Sequence, residues 1–162
     1  MKPIRVSVQV DRPREEVFAF LDALANHESF TDHMLVDWTY SGPAAGIGAK
    51  ARMRANVPGP KDWIDMEVSA AQAPVTTVEE SVGAKGRRRT RGTYTLEELP
   101  GGGGTHIRFE LASVEMPLSE RLMAPLLRAW LKRGNEKAMR RLGETLADSG
   151  RLPVRLPTDR AA

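Results

Sequence analysis

Residues 51–68, ARMRANVPGPKDWIDMEV, decide the fold. Ala51, Met53, Ala55 and Val57 alternate with Arg52, Arg54 and Asn56. After Pro58-Gly59-Pro60 the same period returns, with Ile64, Met66 and Val68 set against Asp65, Glu67 and Ser69. Period two marks a strand with one buried face, because successive side chains point to opposite sides. A Pro-Gly-Pro step between two such runs is a turn. Directly opposed residues of an antiparallel pair have a constant sum of positions and share a face. Met53 opposite Ile64 centres this hairpin at Pro58-Gly59, so the apolar faces and the turn residues agree.

The same test extends outward in both directions. Val36, Trp38 and Tyr40 share a face, and Trp38 opposite Ala51 requires a turn within residues 42–47, where Gly42-Pro43 begins a loop that runs to Gly48. Met66 opposite Val78 centres a turn near Gln72, beside Ala73-Pro74. Val78 and Val82 then share a face with Glu80 between them. Residues 83–87 form the next turn, Tyr94 and Leu96 agree in parity, and Leu96 opposite Ile107 places the last turn at Gly101-Gly102. Ile107, Phe109 and Leu111 close a meander of six antiparallel strands.

The ends of the chain complete the pattern. Ile4, Val6, Val8 and Val10 form a first strand. Asp11, Pro13, Glu15 and Glu16 are helix-start residues, and Val17, Phe18, Leu21 and Leu24 follow at helical spacing, which predicts a helix over 13–24. A second short helix is expected around Asn26 to Thr31. After Met116-Pro117, Leu118, Leu122, Leu126 and Trp130 step by four, Met123, Leu127 and Leu131 form a second ridge, and Ala138, Met139, Leu142 and Leu146 continue it. The later group is rotated from the earlier, so the buried stripe winds or the helix bends, and Pro125 supplies a cause for a kink. The expectation is an α+β fold of order β-α-α-β-β-β-β-β-β-α. Residues 1–148 form the domain, and 149–162, with Gly150, Pro153 and Pro157, form a flexible tail.

Composition removes several classes of chemistry. Cysteine is absent, which excludes disulfides and Cys-ligated zinc or iron–sulfur sites. His27 and His33 flank Asp32, but a spacing of six puts them on opposing sides of a helix, and no H-E-x-x-H pattern occurs. No metal or other cofactor is expected. The net charge is +3, from 24 Lys+Arg and 21 Asp+Glu. The densest basic run, Lys85 to Arg91, sits at a hairpin without interleaved aromatics, so nucleic acid is not an expected partner. A solvated hairpin and a patch for an anionic surface both remain open for it. No apolar run approaches the ~18 residues of a membrane span, and Met1 to Val10 lacks a signal-peptide core. A cytoplasmic protein with no integral membrane association is expected. The glycines of 42–48 precede a strand and match no phosphate-binding fingerprint, and G-x-S-x-G is absent.

Three segments carry a resemblance. They are the opening strand with Pro13-Arg14-Glu15-Glu16-Val17-Phe18, the glycine-rich loop Gly42 to Gly48, and Leu126-Leu127-Arg128-Ala129-Trp130-Leu131-Lys132-Arg133-Gly134-Asn135. Together with the element order over residues 3–147, the chain resembles the helix-grip fold of the START and Bet v1-like superfamily. More narrowly, it resembles the bacterial polyketide cyclase/dehydrase and lipid-transport family. The resemblance implies a curved seven-stranded antiparallel sheet wrapped around a long C-terminal helix. It also implies a cavity between them for an apolar or amphipathic small molecule, the expected partner of a chain that is a monomer or homodimer.

On that reading the inward faces supply the ligand-binding residues. The sheet offers Trp38, Tyr40, Met53, Ile64, Met66, Val78, Tyr94 and Phe109; the helix offers Leu127, Trp130, Leu131 and Asn135. Ala51, Ala55, Gly92 and Gly134 would leave space there or let the helix pack closely. Glu80 shares parity with Val78 and Val82, so it should point inward, where a carboxylate needs a partner. Arg88 has the parity to be that partner. Glu80 and Tyr94 are the candidate acid–base residues; an end-of-strand salt bridge is the plainer role for Glu80. The expected function is binding of a lipid or aromatic polyketide-like compound. The alternative is a cofactor-free cyclase or dehydratase, and outward Arg89 and Arg91 could instead serve a protein-interaction role.

Overall fold

The computed structural model describes residues 1–56 and 62–148; Val57, the Pro58-Gly59-Pro60 turn and the 149–162 tail lie outside the described residues. The elements are β1 (Ile4–Val10), α1 (Arg14–Asp22), a 3-10 turn (Leu24–Asn26), α2 (Glu28–Thr31), β2 (Leu35–Ser41), β3 (Lys50–Ala55), β4 (Trp63–Gln72), β5 (Thr76–Gly83), a second 3-10 turn (Ala84–Gly86), β6 (Arg88–Glu98), β7 (Thr105–Glu115), α3 (Leu118–Leu122) and α4 (Ala124–Ala147). The strands form one antiparallel sheet of order β1-β7-β6-β5-β4-β3-β2. This is the α+β helix-grip arrangement in the expected order. No helix among the described residues is long and apolar enough to cross a membrane.

Met53 faces Ile64 and Leu96 faces Ile107, as the turn centres require. Two bulges change the faces elsewhere. In β4, Val68 pairs with Glu79 but Ala70 pairs with Val78, which leaves Ser69 as an extra residue. An extra residue on one strand shifts the register and flips the alternation beyond it. Met66 therefore faces Ser81, not Val78. The inward set of β5 is Thr77, Glu79 and Ser81, and the expectation that Val78, Glu80 and Val82 point inward is corrected. In β2 the register breaks between Val36 and Thr39, where Asp37 has a φ of 58°. Tyr40, and not the expected Trp38, stands opposite Ala51; both aromatics keep their expected side, while Leu35 opposite Ala55 takes the place expected of Val36.

The C-terminal helix is two pieces. They meet at Met123 (φ −99°, ψ 9°), and Pro125 lies in the first turn of α4, where its missing N–H leaves no helical bond unmade. Ala138, Met139, Leu142 and Leu146 are buried with Ile4, Leu96 and Ile107 in the main core. The earlier apolar series is not buried: Leu118, Leu122, Met123 and Leu126 are exposed, which corrects the expectation of one continuous buried stripe. A second core cluster gathers Leu24, Trp38, Ala51, Met53 and Val68 under β2 to β4. Gly134 resolves in favour of close packing, because a Cβ there would meet Met34 Cε at 2.8 Å. Its carbonyl bonds His33 Nε2 at 2.9 Å, and Arg141 pairs with Asp32, so the end of α2 is held to α4.

Candidate functional site

Sheet, α2, α3 and α4 enclose a cavity of about 610 Å³. That volume lies within the range of pockets that bury a drug-sized molecule. Trp38, Met53, Ile64, Met66, Tyr94 and Phe109 line it from the sheet, and Leu127, Trp130, Leu131 and Asn135 from the helix. Asn135 also donates from Nδ2 to the Leu131 carbonyl at 2.8 Å. Three expected residues are elsewhere. Tyr40 stacks on Trp38 at 5.9 Å and donates to Glu28 at 3.2 Å. Val78 and Glu80 stand on the outer face, one on each side of the β4 bulge, and exposed Glu80 accepts from Arg91 at 2.8 Å.

The inward carboxylate is Glu79. It is 4% exposed and lies on the cavity wall beside His27 and Tyr94. Burial raises its pKa above the ordinary carboxylate range, and the positive charge available on His27 opposes only part of that. Tyr94 is pushed well above the usual phenol value, first by burial and then by the negative charge of Glu79. His27 is placed by the 3-10 turn between α1 and α2, which Asn26 anchors by donating from Nδ2 to the Phe20 carbonyl at 2.8 Å. His27 Nε2 sits 2.7 Å from the Leu21 carbonyl, which only accepts, so this nitrogen carries the proton. Nδ1 lies 3.4 Å from Glu79 Oε1. The rings of Phe30 and Tyr94 pack on the imidazole at 5.2 and 5.7 Å. Gly92 pairs with Glu79 across the strands, and a Cβ there would meet the Phe109 ring at 3.0 Å. Glycine thus lets an aromatic ring cover the carboxyl.

Neither Glu79 nor His27 is among the ligand-binding or acid–base residues that the sequence pattern selects. One signal was available: adjacent Glu79 and Glu80 on a strand must point to opposite faces, so one of them faces inward in any register. The sequence pattern offers His27 only as a possible metal ligand, beside Asp32 and His33.

The rim is charged. Arg88, expected beside Glu80, instead donates from Nε to Glu120 at 2.9 Å and lies 3.7 Å from Asp62. The hydrogen bond to Glu120 is the main reason its pKa is raised. Met123 and Leu126 line the cavity yet are exposed, Leu126 by 69%, so the cavity opens here. Arg89 and Arg91 of the basic run meet Glu115 and Glu80 on the outer face. Because Arg88 ties α3 to β6, Arg88→Met should speed amide hydrogen exchange across residues 118–122. The melting temperature should change little, since a partly exposed ion pair contributes little to global stability.

A model of the polyketide cyclase / dehydrase and lipid transport family matches residues 1–147. No curated protein shows significant sequence similarity to the chain. Among solved structures, a protein of Thermus thermophilus superposes with a TM-score of 0.68 at 18% identity, covering 88% of this chain and 95% of that one. The ZhuI aromatase/cyclase of Streptomyces sp. R1128 gives 0.72 at 10% identity, over 88% of this chain and 92% of its own. DynU16, a protein in the dynemicin biosynthetic locus, gives 0.62 at 20% identity, over 94% of this chain and 49% of its own. At these identities the structures speak for the fold alone. With its helix-grip sheet, its long C-terminal helix and a family match from the first residue to the end of α4, this chain belongs to the polyketide cyclase / dehydrase and lipid transport family.

Proposed function

We propose that the chain binds one hydrophobic or amphipathic small molecule, a lipid or an aromatic polyketide-like compound, between the sheet and α4. One observation carries this reading: an apolar-walled cavity of about 610 Å³ that holds a buried carboxyl within it and the Arg88–Asp62–Glu120 charge cluster on its edge. Apolar walls with a few placed polar groups are the general form of a small-molecule site. A ligand with an apolar body and a polar group suits such a gradient. Native mass spectrometry of the chain purified gently from its own cells should show a bound species of low mass that acid releases. Protein that is mass-pure after every gentle preparation, and that takes up no added fatty acid, would contradict the proposal.

A second reading is a cyclase- or dehydratase-type enzyme working in the same cavity without a cofactor. Glu79 favours it, because a carboxyl raised by burial and lying on a cavity wall is the kind of group that acid–base chemistry uses. The aromatase/cyclase activity in the name of the Streptomyces structure belongs to that protein; the shared fold makes the reading worth testing here.

A further inference from the structure

We infer that Glu79 and Tyr94 form a hydroxyl-recognition site at the buried end of the cavity, so that the ligand is an alcohol or phenol held hydroxyl first; this rests on the cavity being a ligand site. Two polar groups on the cavity wall lack partners. Among the described residues, nothing donates to the buried Glu79 Oε1, and the Tyr94 hydroxyl makes no hydrogen bond. A buried polar group left this way is costly unless something else satisfies it. The two side chains stand on one face of neighbouring strands, since Glu79 pairs with Gly92, two residues before Tyr94. They are close enough for the charge of Glu79 to act on the phenol. His27 adds an acceptor, not a donor. Its Nε2 donates to the Leu21 carbonyl, and Nδ1 faces Glu79 Oε1 at 3.4 Å. Whichever of these two atoms holds a proton, the carboxyl keeps a lone pair for a further donor.

A hydroxyl group suits both partners: its O–H donates to Glu79, and its oxygen accepts from Tyr94. An ammonium has no lone pair for Tyr94. A ketone or an ether has no proton for Glu79, and a carboxylate brings a second negative charge to it. Aromatic rings close the site, with Phe109 on Tyr94 at 4.5 Å and Phe30 on His27 at 5.2 Å. In such surroundings an analogue without the O–H leaves Glu79 unpaired, which makes the polar group decisive. The opposite end sets the orientation. Met123 and Leu126 line the cavity and are exposed, so apolar side chains border the opening and take the ligand's tail. A fatty acid is held the other way round, tail first, with its carboxylate left at the rim.

The test is displacement of 11-(dansylamino)undecanoic acid, followed by fluorescence, by three compounds that differ in one group: 4-octylphenol, 4-octylanisole and 4-octylbenzoate. In the wild-type chain 4-octylphenol should displace the probe at concentrations at least about tenfold lower than either of the others, the penalty for a buried acceptor left unpaired. E79L removes the acceptor, and the phenol and the anisole should then differ by no more than about 3-fold. E80Q on the outer face should keep the wild-type preference. Y94F should weaken the phenol and the anisole alike, because both oxygens accept, and leave their ratio unchanged. If circular dichroism shows E79L unfolded, E79Q, whose amide is a weaker acceptor than a carboxylate, should narrow the preference. Equal displacement by phenol and anisole in the wild-type chain, with the probe bound, overturns the proposal and leaves the cavity reading standing. A phenol preference that survives E79L in full overturns it as well. A chain that binds neither the probe nor any of the three compounds overturns both readings.

Discussion

Leu142→Ala is expected to lower the unfolding free energy by about 2–5 kcal/mol, whereas Leu122→Ala should change it by less than about 0.5 kcal/mol. Both leucines belong to the apolar series that runs through the C-terminal helical segment. Leu142 is 0% exposed and packs in the main core with Ile4, Leu96 and Ile107. Its removal loses the transfer free energy of the buried atoms and leaves a cavity that the close-packed surroundings fill only in part. Leu122, at the end of α3, is 87% exposed, so little is lost on truncation. Alanine is a good helix former at both sites, so propensity does not produce the contrast. Urea unfolding of the two variants checks it, and a large loss at Leu122 would mean that α3 is packed as one continuous stripe after all.

Glu79→Gln should make the chain relatively more stable as the pH rises. The carboxyl pKa is raised in the folded state by burial, above its value of about 4.3 in an unfolded chain. Between those two values the folded state binds more protons than the unfolded state. Stability therefore falls as pH rises through that window. Below the unfolded value the neutral carboxyl contributes its full share, and above the folded value that share is gone. The slope from this one proton cannot exceed about 1.4 kcal/mol per pH unit. Glutamine has no such proton, so the stability of the variant minus that of wild type should grow between pH 4 and pH 8. Asp22 is also raised by burial, but it is present in both proteins and cancels in the difference. Urea midpoints across that range decide the sign. A difference that shrinks with rising pH would mean that His27 stabilises the charged carboxylate more than burial opposes it.

Much of the fold was legible because period two and turn composition constrain each other. Met53 with Ile64 and Leu96 with Ile107 fell into register from arithmetic alone. What escaped was the single extra residue at Ser69. A bulge leaves the alternation on each side intact and changes only the phase between them, so no count of apolar residues reveals it. That one residue exchanged Glu80 for Glu79 and removed Val78 from the cavity. Trp38, Met66 and Tyr94 survived because their strands keep phase with the neighbours used to place them. On the last helix, Leu126 and Leu142 have the same apolar character. Only the tertiary arrangement makes one a mouth residue and the other core. His27 was hidden for a different reason: its partners, Leu21 and Glu79, come from one near segment and one distant strand.

The central claim, that the cavity holds an amphipathic ligand, is tested most directly by filling the cavity. Ser81 and Thr90 face each other across β5 and β6, and both line its wall. The double variant Ser81→Phe, Thr90→Phe places two rings in the open space with no change to Glu79, His27 or the rim. Titration with 11-(dansylamino)undecanoic acid should give one saturable site in the wild-type chain. In the double variant, with its circular dichroism unchanged, affinity should fall at least about tenfold, equivalent to about 1.4 kcal/mol. Equal affinity in the two proteins would place the ligand outside the cavity and contradict the account.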